Sequence, residues 1–200
     1  MNIFDFSIGY LKQIKARLQK QENAATPALS FGSYGEGVVL ERNTHFTNSD
    51  RIHLGSYIYI GMNTNLYGRG EIHISDYSII SSDVIMLSSM HNYQDAELLP
   101  YDQIELLSPI NIGVACWVGI RSIILPGVTL EDGCIVGAGS VVTKSFPKCS
   151  IIGGNPAKVI KYRDIKDFDE LISKDKFYMK EKLENKVEKV ERIYSRKPVN

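Results

Sequence analysis

The chain has 200 residues, 44% of them hydrophobic, and 23 basic residues balance 23 acidic ones at a formal charge of zero. This length supports one domain with a sizeable core and falls short of two, and the even charge gives no global attraction for nucleic acid or an anionic membrane. The odd set of Cys116, Cys134 and Cys149, the lack of any long apolar run and the absence of a secretory leader pattern predict a cytoplasmic protein with reduced thiols and no integral membrane segment.

In chain order, Phe6, Tyr10, Ile14 and Leu18 recur every fourth residue among Lys12, Lys15, Arg17 and Lys20. That spacing predicts a short amphipathic helix over 1–22, packed on its own domain or on a neighbouring subunit, since one weakly basic helix binds lipid only marginally. Residues 23–33, with Pro27 and Gly32, connect it to the main domain, expected over 30–163.

An aliphatic residue then recurs at every sixth position. The beat begins near Phe46, runs through Leu54, Ile60 and Leu66, and repeats at Ile74, Ile80 and Met86. RIHLGSY at 51–57 and EIHISDY at 71–77 are near copies twenty residues apart, which reads as a coil of eighteen plus a two-residue bulge outside the core. His53 and His73 then stack on one outer corner. No third ligand repeats with them, so a structural role and no metal are expected, and His45 reads the same way.

After Met86 the rhythm stops. Residues 92–111 interrupt it with two tyrosines, two prolines and the carboxylates Asp95, Glu97, Asp102 and Glu105, and long excursions from a rigid scaffold are usually functional. At the root stands His91, whose imidazole, with an ordinary pKa of about 6.5, can accept a proton near neutral pH. Asp95, Glu97 or a backbone carbonyl are the candidates to orient it.

The beat resumes as Ile112, Val118, Ile124, Leu130, Val136 and Val142, with compact Cys116, Ser122, Val128, Cys134 and Ser140 four places after each of the first five. A 3.6-residue period would scatter these positions around a helix. A parallel β-helix fits: each block is a short strand and a turn, and stacked coils bury what none buries alone. Beyond 163 the composition turns highly charged, with Leu183, Val187, Val190 and Tyr194 at helical spacing. The segment 164–200 is therefore expected as a helical extension that caps the open end of the coil and packs subunits, with recruitment of another enzyme as the alternative.

The run WVGIRSIILPGVTLEDGCIVGAGSVVTK at 117–144, followed by IIGGNPAKVIK at 151–161, resembles the hexapeptide-repeat acyltransferases, and among them the sugar O-acetyltransferases of the galactoside and maltose type and relatives that modify surface polysaccharides. The resemblance covers roughly 46–163. It implies an all-β core forming a left-handed parallel β-helix, a homotrimer, and acetyl-CoA as cosubstrate with a saccharide acceptor and no metal.

The resemblance also implies site residues. VIMLSSMH at 84–91 lines up without gaps with the segment that ends in the family's catalytic histidine, making His91 the general base. Asn65, in NTNLYG, matches the second Asn of the family's Asn-x-Asn-Leu motif and would stabilise the acceptor or the oxyanion. The alignment needs a two-residue gap between these positions, so the resemblance assigns no residue here to the family's acceptor-binding carboxylate. For the donor, Trp117 matches the aromatic beside the pantetheine groove, while Gly119, Gly137, Ala138 and Gly139 leave room for the arm. Thr143 and Lys144 match a Thr-Lys pair, and Lys158 and Lys161 stand where basic groups meet the nucleotide phosphates, with Arg163 as a further candidate. The alternatives are a xenobiotic acetyltransferase acting on chloramphenicol or streptogramins, an N-acetyltransferase of amino sugars, and a catalytically silent scaffold.

Overall fold

The computed structural model describes residues 30–187 and 190–191; the helix expected over 1–22 lies outside the described residues. Short parallel strands stack into three sheets that form the walls of a coil. The first face holds Ser33–Tyr34, Ile52–Leu54, Ile72–Ile74, Ile110–Ile112 and Thr129–Leu130, and the second runs from Val39–Leu40 through Tyr59–Ile60, Ile79–Ile80, Trp117–Val118 and Ile135–Val136 to Ser150–Gly154. The third holds His45–Thr47, Asn65–Tyr67, Ile85–Leu87, Ile123–Ile124 and Val141–Val142.

The aliphatic beat and this register coincide. Leu54, Ile74, Ile112 and Leu130 align on the first face, Ile60, Ile80, Val118 and Val136 on the second, and Leu66, Met86, Ile124 and Val142 on the third. All twelve point inward and are buried, as are Cys116, Ser122, Val128, Cys134 and Ser140. Fully burying one such aliphatic contributes about 1.5–3 kcal/mol.

The two residues added in each of the early coils are not an insertion outside the core. Ile52 and Ile72 are fully buried, align with each other and with Ile110, and lengthen the first-face strands to three residues. Alternation along a strand then turns Ile52 and Leu54 inward and His53 outward, so the extra pair adds core as well as a surface side chain.

Left-handed backbone makes the corners. Asn43, Asn63, Asp83, Arg121 and Gly139 share φ values of 58°, 58°, 58°, 59° and 69° at the corner between the second and third faces. Short amide side chains tolerate this conformation, and here they bond up the stack: Asn43 Nδ2 donates to Asn63 Oδ1, and Asn63 Nδ2 to Asp83 Oδ1.

Among the described residues, the C-terminal extension runs along the outside of the coil, where a cap over its open end was expected. Its first helix, α1 (Ile165–Ser173), is capped by the Asp164 carboxylate, which accepts from the Asp167 N–H. Phe168 of α1 covers Gly133 at the corner between the first and second faces; a Cβ on that glycine would come within 2.6 Å of the ring. Lower down, Phe177 stacks on Tyr77 with centroids 3.6 Å apart, and Tyr77 stacks in turn on Tyr57 of the preceding coil. Leu183, ending α2 (Tyr178–Leu183), reaches Gly37 in the first coil. The strap thus descends past the coils, and the open end of the second face is closed by the antiparallel strand Ala157–Tyr162 paired to Ser150–Gly154. Val187 lies beyond α2, and Tyr194 outside the described residues.

Candidate active site

Where the third face ends at Leu87, the chain leaves the coil as an antiparallel hairpin, Ser89–His91 against Glu105–Leu107, and rejoins it at Ile110, two residues before the excursion was expected to close. His91 is the last residue of the outgoing strand, opposite Glu105, and is exposed to solvent. Its ring lies flat on Tyr101, with centroids 3.9 Å apart and planes 6° from parallel. Tyr101 is set by its neighbour: buried Asp102 accepts from Asn92 Nδ2 and from the Ile104 N–H, both at 2.9 Å, latching the two arms together. Across the hairpin Glu105 accepts from Ser89 Oγ at 2.6 Å, and it pairs with Arg69 at 2.5 Å.

Among the described residues neither Asp95 nor Glu97 bonds to His91; stacking on Tyr101 orients the ring. Nothing in local sequence pointed to Tyr101, because the pairing depends on where the thirteen-residue loop between the strands Ser89–His91 and Glu105–Leu107 folds back.

Asn65 sits outward on the third face in register with Ile85, its Nδ2 donating to the Asn63 carbonyl at 2.8 Å, which leaves its second amide hydrogen and its carbonyl oxygen outside that bond. Trp117 is outward on the second face, 51% exposed, and its indole N–H donates to Ser81 Oγ. Beside it the corner is built of small residues for two separate reasons. At Gly119 a Cβ would come within 2.6 Å of the Val136 carbonyl oxygen in the next coil, so close stacking demands glycine there. Ala138 is exposed and a Cβ at Gly139 would meet nothing within 4 Å, so this part of the corner is open. Lys158 and Lys161, both exposed, extend the strip along the edge strand opposite Gly153 and Ile151.

Trp117, Gly119, Ala138, Gly139 and Lys158 therefore line one side of the molecule. Thr143 and Lys144 fall past Val142 at the far edge of the third face, where Lys144 Nζ lies 5.7 Å from the centre of the Phe146 ring. His91 is on that far side too. The strand Val141–Val142 lies between Gly139 and Thr143, so one chain puts the proposed base and the small-residue strip on opposite edges of the third face. Two cavities of about 370 and 390 Å³ open on the first face instead, and His91 lines neither.

All three thiols are buried. Cys116, beside Cys134, holds its proton well above the ordinary thiol range and burial pushes Cys149 up, whereas the same pairing lowers Cys134, whose Sγ lies inside the coil against the Pro147 carbonyl.

Residues 109–144 match the family model described as the hexapeptide repeat of succinyl-transferase. Over 129 residues the chain is 36% identical to the "Putative colanic acid biosynthesis acetyltransferase WcaF" of Escherichia coli strain K12, an alignment covering 64% of this chain and 68% of that protein. The chain belongs to the hexapeptide-repeat acyltransferase family. A hexapeptide-repeat relative of known structure, the maltose O-acetyltransferase from Clostridium difficile 630, is similar with a TM-score of 0.62 at 32% identity, over 67% of this chain and 71% of its own. A galactoside acetyltransferase in complex with coenzyme A gives a TM-score of 0.62 at 27% identity, over 76% of this chain and 80% of its own. The coil described above is the left-handed β-helix of these hexapeptide-repeat enzymes.

Proposed function

We propose that this hexapeptide-repeat acyltransferase moves an acetyl group from acetyl-CoA to a hydroxyl of a saccharide, in surface polysaccharide or lipopolysaccharide modification, with His91 as general base. The observation that carries the reading is the imidazole at the end of a short, latched strand, open to solvent on one side and held flat by Tyr101 on the other. Relatives named as maltose O-acetyltransferase and as a colanic acid acetyltransferase support the sugar acceptor, and the relative bound to coenzyme A supports the donor.

In this reading one ring nitrogen of His91 takes the acceptor's hydroxyl proton as its oxygen attacks the thioester carbonyl. The oxyanion is stabilised by Asn65 and backbone N–H groups. Attack has already made the new C–O bond, so collapse re-forms the carbonyl and breaks the C–S bond, and the imidazolium gives its proton to the leaving sulfur. Three buried thiols agree with direct transfer without an acyl-enzyme, and with a reducing, cytoplasmic setting. Among the described residues no helix is long and apolar enough to cross a membrane.

Because base and donor strip lie on different sides of one chain, the working site is shared between copies: a homotrimer in which each His91 faces its neighbour's Trp117, Gly119, Ala138 and Gly139, with Lys158, Lys161, Thr143 and Lys144 of the assembly near the nucleotide end. The test measures coenzyme A release with sugar, amino-sugar and antibiotic acceptors for the parent and for His91→Ala. Release with a sugar that collapses in the variant supports the proposal; release indifferent to the change removes His91 as base, and preference for an amine acceptor replaces the sugar hydroxyl. Tyr101→Ala should lower kcat by about tenfold through the lost ring contact while Tyr101→Phe keeps it, since the stack needs a ring and not a hydroxyl.

A further inference from the structure

The residues of the first face that acetyl transfer leaves unused include a side-chain cluster of a different chemical kind. His53 and His73 project from adjacent strands in direct register, their rings 4.5 Å apart and 7° from parallel. Glu71 immediately precedes the strand Ile72–Ile74, and its Oε2 is 3.1 Å from His73 Nε2. One donor atom from each of the three residues lies within 4.8 Å of the other two.

We propose that His53, Glu71 and His73 form a binding site for a divalent transition-metal ion of the zinc type. The two imidazoles are borderline donors that suit zinc, cobalt or nickel, and one hard carboxylate is too few oxygens for magnesium or calcium. With metal–ligand bonds of about 2.0–2.1 Å, tetrahedral donors sit roughly 3.3 Å apart, so the Glu71–His73 spacing is already in place and only His53 has to turn. A fourth position stays open to water beside the cavity bordered by His53, His73 and Asp76.

The coil holds the ligands from two directions. His53 rests on Gly32 of the preceding coil, where a Cβ would come within 2.5 Å of its Cε1 and 2.9 Å of its Nδ1. Glu71 is kept at φ +77°, an uncommon conformation for a residue of this kind, and its carbonyl accepts from the Ile110 N–H as the chain re-enters the coil. The grouping is not a ladder along the whole face. Arg51 holds the position of Glu71 one coil earlier and Asn111 that of His73 one coil later, so only the second and third coils supply the set, and a search for a repeating third donor passes over Glu71. An ion there would staple these coils together.

The test uses the full chain without a histidine tag, stripped with a chelator and dialysed against zinc, with cobalt as the spectroscopic probe. Expected are one ion per chain, the visible absorption of low-coordinate cobalt, and a melting temperature that rises with zinc concentration. Binding should weaken in acid, because protons compete with the metal for the imidazole nitrogens. His73→Gln and Glu71→Gln should each cost at least the about 10–100-fold seen for outer-shell partners, while His45→Gln binds as the parent does. Metal-free melts of the variants identify any that lose the fold, and His53→Gln serves as the second probe of the same site. No saturable binding, or binding unchanged in both histidine variants, overturns the proposal; neither outcome bears on acetyl transfer.

Discussion

The walls of the coil and the hairpin that leaves them are built on opposite terms. In the walls each inward aliphatic lies against its equivalent one coil away, and twelve of twelve are hidden from water. In the hairpin, Met90, Tyr93, Leu98, Tyr101, Ile104, Leu106 and Leu107 are exposed and Leu99 is 96% accessible. One region obtains stability from repetition; the other gives up burial in a single chain to present His91 and an apolar surface outward. Fold and the proposed chemistry thus fall on separate parts of the chain, and substitutions should respect the division.

The largest effect expected is on rate alone. His91→Ala should lower kcat by about 10²–10⁴-fold with an unchanged melting temperature, since an exposed ring stacked on one neighbour contributes little to the fold. A large loss of stability in that variant would break the division. Ile72→Ala should do the reverse, destabilising by about 2–5 kcal/mol in urea unfolding, because it opens a cavity where Ile52, Ile72 and Ile110 meet. The strap sharpens the contrast. Phe177→Ala removes the ring stacked on Tyr77 and should cost about 1–3 kcal/mol, releasing the extension to protease before the coil unfolds.

The smallest effect is alkaline. Burial raises Tyr77 above the ordinary tyrosine value, a hydrogen bond with Glu36 raises Tyr57, and bonds to Asp169 and Asp175 raise Lys148 and Lys180. Each binds its proton more tightly when folded, so its contribution is fully present below the unfolded pKa, about 10 for tyrosine and 10.4 for lysine, and is lost as pH rises through the higher folded value. The strap should loosen above that range, with Tyr57 and Tyr77 ionising late in an ultraviolet titration; simple titration at the free-tyrosine value would show the stack to be open.

Much of the coil was legible because its rule is periodic. Leu54 to Val142 could be assigned inward from a spacing that only stacked coils satisfy, and His53 could be paired with His73 from an echo of twenty residues. The added residues Ile52 and Ile72 were misplaced because a two-residue insertion in a strand keeps the alternation of sides, whereas a bulge would have turned them out. Tyr101 against His91, Phe168 on Gly133 and Phe177 on Tyr77 had no signature, since each joins segments whose separation obeys no repeat. The candidate site was legible to the same extent: Asn65 and Trp117 could be set on faces, but what orients the imidazole and which sides the residues share depended on the way the excursion and tail fold back.

One-to-one register also decides which changes in length this molecule can absorb. A duplication of the eighteen residues from Ile112 to just before Leu130 would lay one more rung on the stack and leave every later side chain on its own side. A single residue added within a strand would instead invert everything downstream to the next corner, so the length of such a chain can drift only in whole rungs or at its corners, which is where its hairpin departs.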